Sequence, residues 1–359
     1  MSDLMTGTCT YDELVNKYAN FHVPAARLYV NGKDVVQELE LDIRSVDITL
    51  SLNTESTAVI RLVNLYDRES RSFDSKVKNK LKLGTVVEVG IGYMSEIQKV
   101  LKGYVAALGA EFGENTCLVV TVADVRRLMM TGGVHHVLHV VDNYSDAVQT
   151  ILDQYSSLCT AEIDATSDQL DRPLSQQSTD YDFITRELIG RGRCEREFFV
   201  SGDTVYFRES CKEKESICTM EFGRELLQFS VETGYVDLQV NVTGYNQQEQ
   251  NIVTATATVK QVEAQSSVLA NTPVHNIVDP EADTQDKADL RAKAYAGGRQ
   301  ALGKSGRGTC VGLPELIPGR FVEIVMLEEL ANQKYYISSV THRMDQDGFF
   351  TEFEAGGGN

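Results

Sequence analysis

The residues best suited to metal binding form one short cluster, with His135, His136 and His139 in the stretch HHVLH. The cluster lacks the glutamate of the His-Glu-x-x-His zinc motif. Its valines and leucine are typical of a β segment, in which His135 and His139 share a face. We therefore expect polar side chains at a sheet edge here and no metal site.

The other reactive side chains form no known catalytic arrangement. Cys211 and Cys218 are too far apart for a Cys-x-x-Cys zinc knuckle, and no second pair completes a tetrahedral site. The sequence contains no Gly-x-Ser-x-Gly elbow, Walker loop or dinucleotide fingerprint. Carboxylate pairs such as Glu328-Glu329 lie in polar, turn-like stretches. We therefore predict no catalytic residue, no bound cofactor and no enzymatic activity.

Composition indicates a globular protein without membrane spans. The 359 residues suffice for two or three domains, and no apolar run approaches the roughly 20 residues of a transmembrane helix. Seven scattered cysteines are typical of reduced thiols, and the N-terminus has no secretory signal pattern, so folding in a cytoplasm is expected. A net charge of -18 argues against a protein that wraps around nucleic acid through phosphate contacts.

After an N-terminal helical or extended arm over residues 1–24, residues 25–130 are predicted to form a first antiparallel β-barrel. Asn31-Gly32 lies between two apolar runs, which is a strong hairpin signal. In the next strand the apolar alternation changes phase near Arg44-Ser45, as a β-bulge requires. Bulges of this kind help a sheet to curl.

The rest of the chain divides into an α+β insert and a second barrel. Residues 131–217 contain two amphipathic patterns, Ser145–Tyr155 and Thr179–Ile189, followed by a hairpin that turns at Ser201-Gly202-Asp203. Residues 218–359 return to β alternation and include a predicted loop, Ala264–Glu281, and a polar helix near 284–302. The predicted class is mainly β with an α+β insert between two related antiparallel barrels.

One motif occurs twice and relates the two barrels. LGTVVEV contains Gly84 and IPGRFVEIV contains Gly319, each in the pattern Gly-x-x-Val-Glu-[Val/Ile]. Two further predicted strands follow each copy at similar distance. The repeat therefore predicts an internal duplication.

Four stretches in this order resemble the phage late control D family, which includes central hub proteins of contractile tails and the N-terminal hub part of type VI secretion spike proteins. The resemblance covers nearly the whole chain and contains no catalytic signature. The stretches are DIRSVDITLSLNTESTAVIRLVNLYD, LGTVVEVGIGY with KGYVAAL, TDYDFITRELIGRGRCEREFFVSGDTVYF, and IPGRFVEIV with YYISSVTHRMDQDGFFTEFEA.

The resemblance implies a homotrimeric ring that joins a hexameric tail tube to a trimeric central spike. Further expected partners are other baseplate proteins, with DNA or cargo passing through the channel without specific binding. The expected location is a virion tail baseplate or an injection particle assembled in the bacterial cytoplasm. Because no spike repeats follow Glu354, the spike is expected to be a separate protein. The predicted subunit interface is one face of the curved strand, with Ile43, Val46, Ile48 and Leu50.

Two alternatives stay open from sequence. A hub of a phage-derived bacteriocin or extracellular injection system has the same chemistry and a different payload. A glycan-active or glycan-binding β protein of the tail is a different class, although no Trp and no aromatic platform support it.

Overall fold

A computed structural model describes residues 4–170, 172–234, 239–259, 274–300, 303–329 and 331–357. Up to residue 123 the chain forms mainly β-strands. The strands are β1 (Pro24–Val30), β2 (Lys33–Asp34), β3 (Asp42–Ser51), β4 (Thr57–Val63), β5 (Tyr66–Asp67), β6 (Ser72–Phe73), β7 (Val86–Tyr93), β8 (Glu96–Glu111) and β9 (Cys117–Ala123). The helices between them are α1 (Tyr11–Lys17), α2 (Val35–Glu38) and α3 (Ser75–Lys80).

Both local predictions for this region are confirmed. Asn31 and Gly32 have φ values of 53° and 75° and connect β1 to β2, as in a type I′ hairpin. The register of β3 against β4 shifts between Ile43 and Ser45, which places the bulge at Arg44.

The insert that follows has a hydrophobic core of its own, which includes the fully buried Phe183, Leu188 and Phe207. The Thr179 hydroxyl accepts a hydrogen bond from the Asp182 amide, and the helix that it caps continues as a π-helix, Phe183–Ile189. The elements are α4 (Val125–Thr131), β10 (Val137–His139), α5 (Tyr144–Leu152), β11 (Thr160–Ile163), β12 (Leu174–Gln176), α6 (Asp180–Asp182), β13 (Glu197–Ser201) and β14 (Thr204–Arg208).

The C-terminal part contributes six strands to the main sheet and contains a small inserted unit. The strands of the main sheet are β15 (Ser216–Glu221), β16 (Leu226–Thr233), β20 (Lys304–Val311), β21 (Phe321–Val325), β22 (Gln333–Asp345) and β23 (Gly348–Gly357). Between β16 and β20 lie β17 (Gln239–Asn246), β18 (Asn251–Thr258), β19 (His275–Val278) and α7 (Gln285–Gln300), which share a separate core. The predicted loop Ala264–Glu281 thus contains β19, and its residues 264–273 lie outside the described ranges.

Two sets of six strands have the same neighbour order, and we call them the first and second repeat. The first repeat runs β1-β7-β8-β9-β4-β3, and the second runs β15-β21-β22-β23-β20-β16. Both contain a bulge in the last strand, at Arg44 and at Leu227, and a second bulge at Ala106 of β8 and at Ser338 of β22. One difference is that β1 is antiparallel to β7 whereas β15 is parallel to β21.

The repeated glycines have the same backbone geometry. Gly84 and Gly319 have φ values of 80° and 83°. The Gly84 amide donates to the Val105 carbonyl at 2.9 Å, and the Gly319 amide donates to the Ile337 carbonyl at 3.0 Å. In both repeats the carbonyl of the residue after the glycine accepts a hydrogen bond from the same partner residue. The Val105 amide donates to Thr85, and the Ile337 amide donates to Arg320. The Gly-x-x-Val-Glu motif therefore marks the same turn in both repeats.

The predicted fold class is confirmed, with one correction to the architecture. The repeats are not two closed barrels, because their strands join into one 13-stranded sheet that runs openly from β16 to β2. One hydrophobic cluster extends through both repeats, from Leu28 and Ile60 to Tyr335 and Phe353. The two halves therefore share a core.

Alanine at the two repeated glycines should have unequal effects. Gly84→Ala meets no atom within 4 Å, so only the left-handed backbone opposes it and we expect a loss of about 1–2 kcal/mol. A Cβ at Gly319 would lie 2.8 Å from the Phe199 ring, which adds about 1–3 kcal/mol of overpacking. Urea unfolding, monitored by tyrosine fluorescence, measures the free energy of unfolding of both variants. Equal losses of stability would contradict the packing at Gly319.

Candidate assembly site

The two repeats meet where β22 changes its partner. Its first residues pair with β21 up to Tyr336, and from Ser339 to Met344 the same edge pairs antiparallel with β3. The bulge at Ser338 lies between these two stretches. Because a bulge bends and twists its strand, it lets β22 leave one strand and meet the other.

Side-chain and backbone hydrogen bonds continue across this junction. The Ser339 hydroxyl donates to the Leu50 carbonyl at 3.2 Å, and the Leu52 amide donates to the Ser338 carbonyl at 3.0 Å. The hydroxyls of Thr49 and Thr341 lie 3.4 Å apart. Opposed threonines contribute favourably to a sheet, so the junction is built like an ordinary strand pair.

Charged groups stabilise the solvent side of the junction. The Asp47 carboxylate accepts from Arg343 on β22 at 3.1 Å and from Arg61 on β4 at 3.3 Å. Arg343 also lies 3.6 Å from Glu352 on β23. The hydrogen bond to Asp47 raises the pKa of the Arg343 guanidinium. These pairs connect four neighbouring strands across both repeats.

The residues predicted to form a subunit interface lie at this junction. Val46, Ile48 and Leu50 are buried in the shared core of the chain, with exposed fractions of 1%, 0% and 2%, and Ile43 packs against the same core. Both edges of β3 are hydrogen-bonded within the chain, to β4 and to β22. These side chains lie in a core that both repeats of their own chain form, and residues 46–49 of β3 are paired on both edges, so this stretch offers no free edge to a neighbouring subunit.

A buried histidine occupies the core side of the junction. The His342 side chain is 1% exposed, and its Nδ1 lies 2.9 Å from the Thr351 hydroxyl. Burial lowers the pKa of the imidazole to about 3. The neutral ring is therefore the form that the junction accommodates.

A buried arginine, Arg208, is one of the contacts that fasten the insert to the second repeat, beside the insert residues Phe199 and Tyr206 in the shared core. Arg208 donates to Glu197 at 2.7 Å and to the carbonyl of Gly319 at 2.6 Å. Tyr336 donates to the same Glu197 carboxylate at 2.6 Å. Burial raises the pKa of the Glu197 carboxyl, and the Arg208 charge opposes that rise. The second copy of the repeated glycine is thus an anchor point for the insert.

A cleft of about 1670 Å³ separates the insert from the outer face of the second repeat. Charges of both signs line it together with aromatic side chains such as Phe198 and Phe321. The lining charges are Glu195, Arg196, Glu197, Lys214, Glu232, Arg307 and Glu354.

The three clustered histidines have different surroundings in the structure. The Nε2 atom of His139 lies 2.7 Å from Gln176, and its buried ring stacks on Phe183 at 5.2 Å. His135 lies 3.9 Å from Asp180, and His136 is exposed. Within the described ranges, no three His, Cys, Asp or Glu side chains converge where a metal ion could bind.

Sequence patterns alone did not find the partner of β3. Nothing in the alternation of the β22 sequence distinguishes Arg343 and His342 from ordinary surface and core positions. The available signal was the internal repeat, because matching two sets of strands shows which edges correspond.

The fold defined by these two repeats is that of phage tail proteins. The chain superimposes on a tail protein of Neisseria meningitidis with a TM-score of 0.69 at 11% identity, covering 93% of this chain and 97% of that one. It matches the 43 kDa tail protein of prophage MuSo2 from Shewanella oneidensis with a TM-score of 0.67 at 13% identity, covering 92% and 98%.

A protein of the type VI secretion system has the same fold. This Escherichia coli component, described as structurally similar to T4 bacteriophage tail proteins, matches with a TM-score of 0.59 at 10% identity. The match covers 93% of this chain and 77% of that one.

The chain belongs to the Alg8 N-terminal domain family, whose model matches residues 21–346. That family is not the late control D family that the sequence motifs resemble, so the likeness to phage tail and secretion proteins is one of fold. No curated protein matches the sequence. Among the residues that the structure describes, no helix is both long and apolar enough to cross a bilayer.

Acid should weaken the wild-type junction through His342. The unfolded imidazole binds a proton below about pH 6.5 while the folded one resists until about 3, so stability falls as pH decreases across that window. His342→Gln removes this titration. Melting temperatures from pH 7 to pH 4 should therefore show the advantage of wild type shrinking with acid; a constant difference would contradict a neutral buried ring.

Loss of Arg208 should weaken the attachment of the insert to the second repeat. Arg208→Met leaves the Glu197 carboxylate buried without its cation, for which we expect about 3–5 kcal/mol of destabilisation. The matched control is Arg186→Met, because Arg186 is 79% exposed and its pair with Asp182 should contribute less than about 1 kcal/mol. Urea unfolding measures the stability of both variants, and limited proteolysis detects cleavage between the insert and the second repeat. Similar losses of stability in the two variants would contradict the role of Arg208 as an anchor.

Proposed function

We propose that this protein is a structural hub of a phage tail or contractile injection baseplate. In this proposal three copies form a ring that joins a hexameric tail tube to a trimeric central spike. The observation that carries the proposal is the presence of two equivalent repeats, joined edge to edge, in one chain.

Two repeats per chain match the symmetries that such a hub must reconcile. Three chains supply six similar repeats, which suits a partner with sixfold symmetry. The insert and the β17–β19 unit occur once per chain, so a ring of three presents them with threefold symmetry. The fold shared with phage tail proteins supports this reading.

The proposed role is mechanical and requires no catalysis. The chain would act by holding its neighbours and by forming part of the channel wall. Other baseplate proteins would bind its periphery, and DNA or cargo would pass without specific binding. A net charge of -18 suits a channel that does not retain nucleic acid.

The second candidate is the hub of a phage-derived bacteriocin or extracellular injection system. It is favoured by the fold shared with a type VI secretion component. In both cases the protein would belong to a particle assembled in a bacterial cytoplasm.

The mass of the purified protein, alone and mixed with its candidate spike, tests the proposal. We expect a trimer of this 39.8 kDa chain, present alone or formed when the spike is added. Arg186→Met, which alters one exposed ion pair, should assemble like wild type. A protein that remains monomeric with both spike and tube subunits would contradict the hub.

A further inference from the structure

Among the described residues, the main sheet has two unpaired strand edges that each correspond to an edge paired at the junction. Beyond Tyr104, β8 pairs on one side only, with β9. At the other end of the described sheet, β16 pairs along its length only with β20. We propose that Leu108–Phe112 of one copy pair antiparallel with Phe229–Thr233 of a second copy.

The correspondence of β8 with β22 follows from their shared bulge. Each strand pairs with its short partner, β7 or β21, as far as a tyrosine, Tyr104 or Tyr336. The bulges at Ala106 and Ser338 follow two residues later. Past the bulge, Ser339–Met344 is the stretch that meets β3, so its equivalent is 107–112.

The correspondence of β3 with β16 follows in the same way. The bulges at Arg44 and Leu227 align the two strands residue by residue. Val46 then corresponds to Phe229, and Leu50 to Thr233. The edge of β3 that pairs with β22 therefore corresponds to the free edge of β16 in the second repeat.

Transferring the junction gives a complete register between two copies. Within the chain, Val340 pairs with Leu50, Thr341 with Thr49, and Met344 with Val46. The equivalent pairs between copies are Leu108 with Thr233, Gly109 with Glu232, Ala110 with Val231, Glu111 with Ser230, and Phe112 with Phe229. This register places no two like charges opposite each other.

Exposed apolar side chains at these edges support the pairing. Phe112 is 69% exposed, and its ring centroid lies 5.5 Å from that of Tyr66 and 6.0 Å from that of Phe73. Its equivalent, Met344, packs against the shared core beside β3. In the proposed pair Phe112 would meet Phe229 and lose much of its exposure.

The two edges belong to different strands, so the contact is head to tail. Each copy would offer β8 to one neighbour and β16 to the other, and such a contact either closes into a ring or continues as a filament. A free strand edge otherwise invites uncontrolled pairing. A closed ring of three rests on the proposed function; the strand pairing itself rests on the internal repeat.

Disulfide trapping tests the register. Gly109→Cys with Glu232→Cys places thiols at directly opposed positions, about 5 Å apart between Cα atoms and within disulfide reach. A Cβ at Gly109 has only an ordinary 3.8 Å contact, with Val119, and Glu232 is exposed. The matched control is Gly109→Cys with Gln228→Cys, whose partner lies four residues, or about 13 Å, along the same exposed face.

A positive control uses the junction itself. Thr49→Cys with Thr341→Cys replaces side chains that lie 3.4 Å apart and should form a disulfide inside one chain. Wild type and the single Gly109→Cys variant report any reaction of the seven native thiols. All variants are oxidised with glutathione disulfide and separated without reductant, and bridged peptides are identified by mass spectrometry.

The expected result is a bond between chains at 109–232, in at least roughly tenfold higher yield than at 109–228. Equal yields, or no 109–232 bond while the 49–341 bond forms, would overturn the pairing. A trimer by mass without the 109–232 bond overturns this pairing and leaves the hub standing. Bonded chains that extend past three copies without closing confirm the pairing and overturn the trimeric hub.

Discussion

The structure depends on one strand, β22, which pairs with two different strands along the same edge. Its first residues complete the second repeat with β21, and after the bulge at Ser338 it meets β3 of the first repeat. Backbone groups that would be left open in either repeat alone are thus satisfied by the other. One continuous sheet and one core follow from this arrangement.

Other features of the chain are arranged around the same strand. Tyr336 on β22 binds the Glu197 carboxylate, which holds Arg208 and with it the insert. His342, six residues later, is enclosed where the repeats meet. The turn at Gly319 supplies both the entry to β21 and a carbonyl for Arg208. Attachment of the insert and joining of the repeats are therefore physically linked.

Sequence patterns predicted the features that depend on neighbouring residues. The Asn31-Gly32 hairpin, the bulge at Arg44 and the turn at Ser201-Gly202-Asp203 were all found because turn chemistry and alternation are local. The Gly-x-x-Val-Glu repeat identified the duplication, since a left-handed φ at Gly84 and Gly319 limits the residue type.

Features set by long-range pairing could not be predicted in this way. Alternation along β3 predicts an apolar face with Ile43, Val46, Ile48 and Leu50, but it does not show that this face lies in the core of the chain's own two repeats. The parallel pairing of β15 with β21 and the open sheet also depend on distant partners. The π-helical geometry of Phe183–Ile189 has no signal in a helical apolar pattern.

The ring proposed for this protein contains six similar repeats, two from each of three chains. Electron cryo-microscopy of the assembled particle tests it most directly, because individual strands can be traced between neighbouring repeats. We expect a threefold ring of six lobes, with strand density continuous both within and between chains. Lobes that meet only through side chains, or a ring with a number of chains other than three, would contradict it.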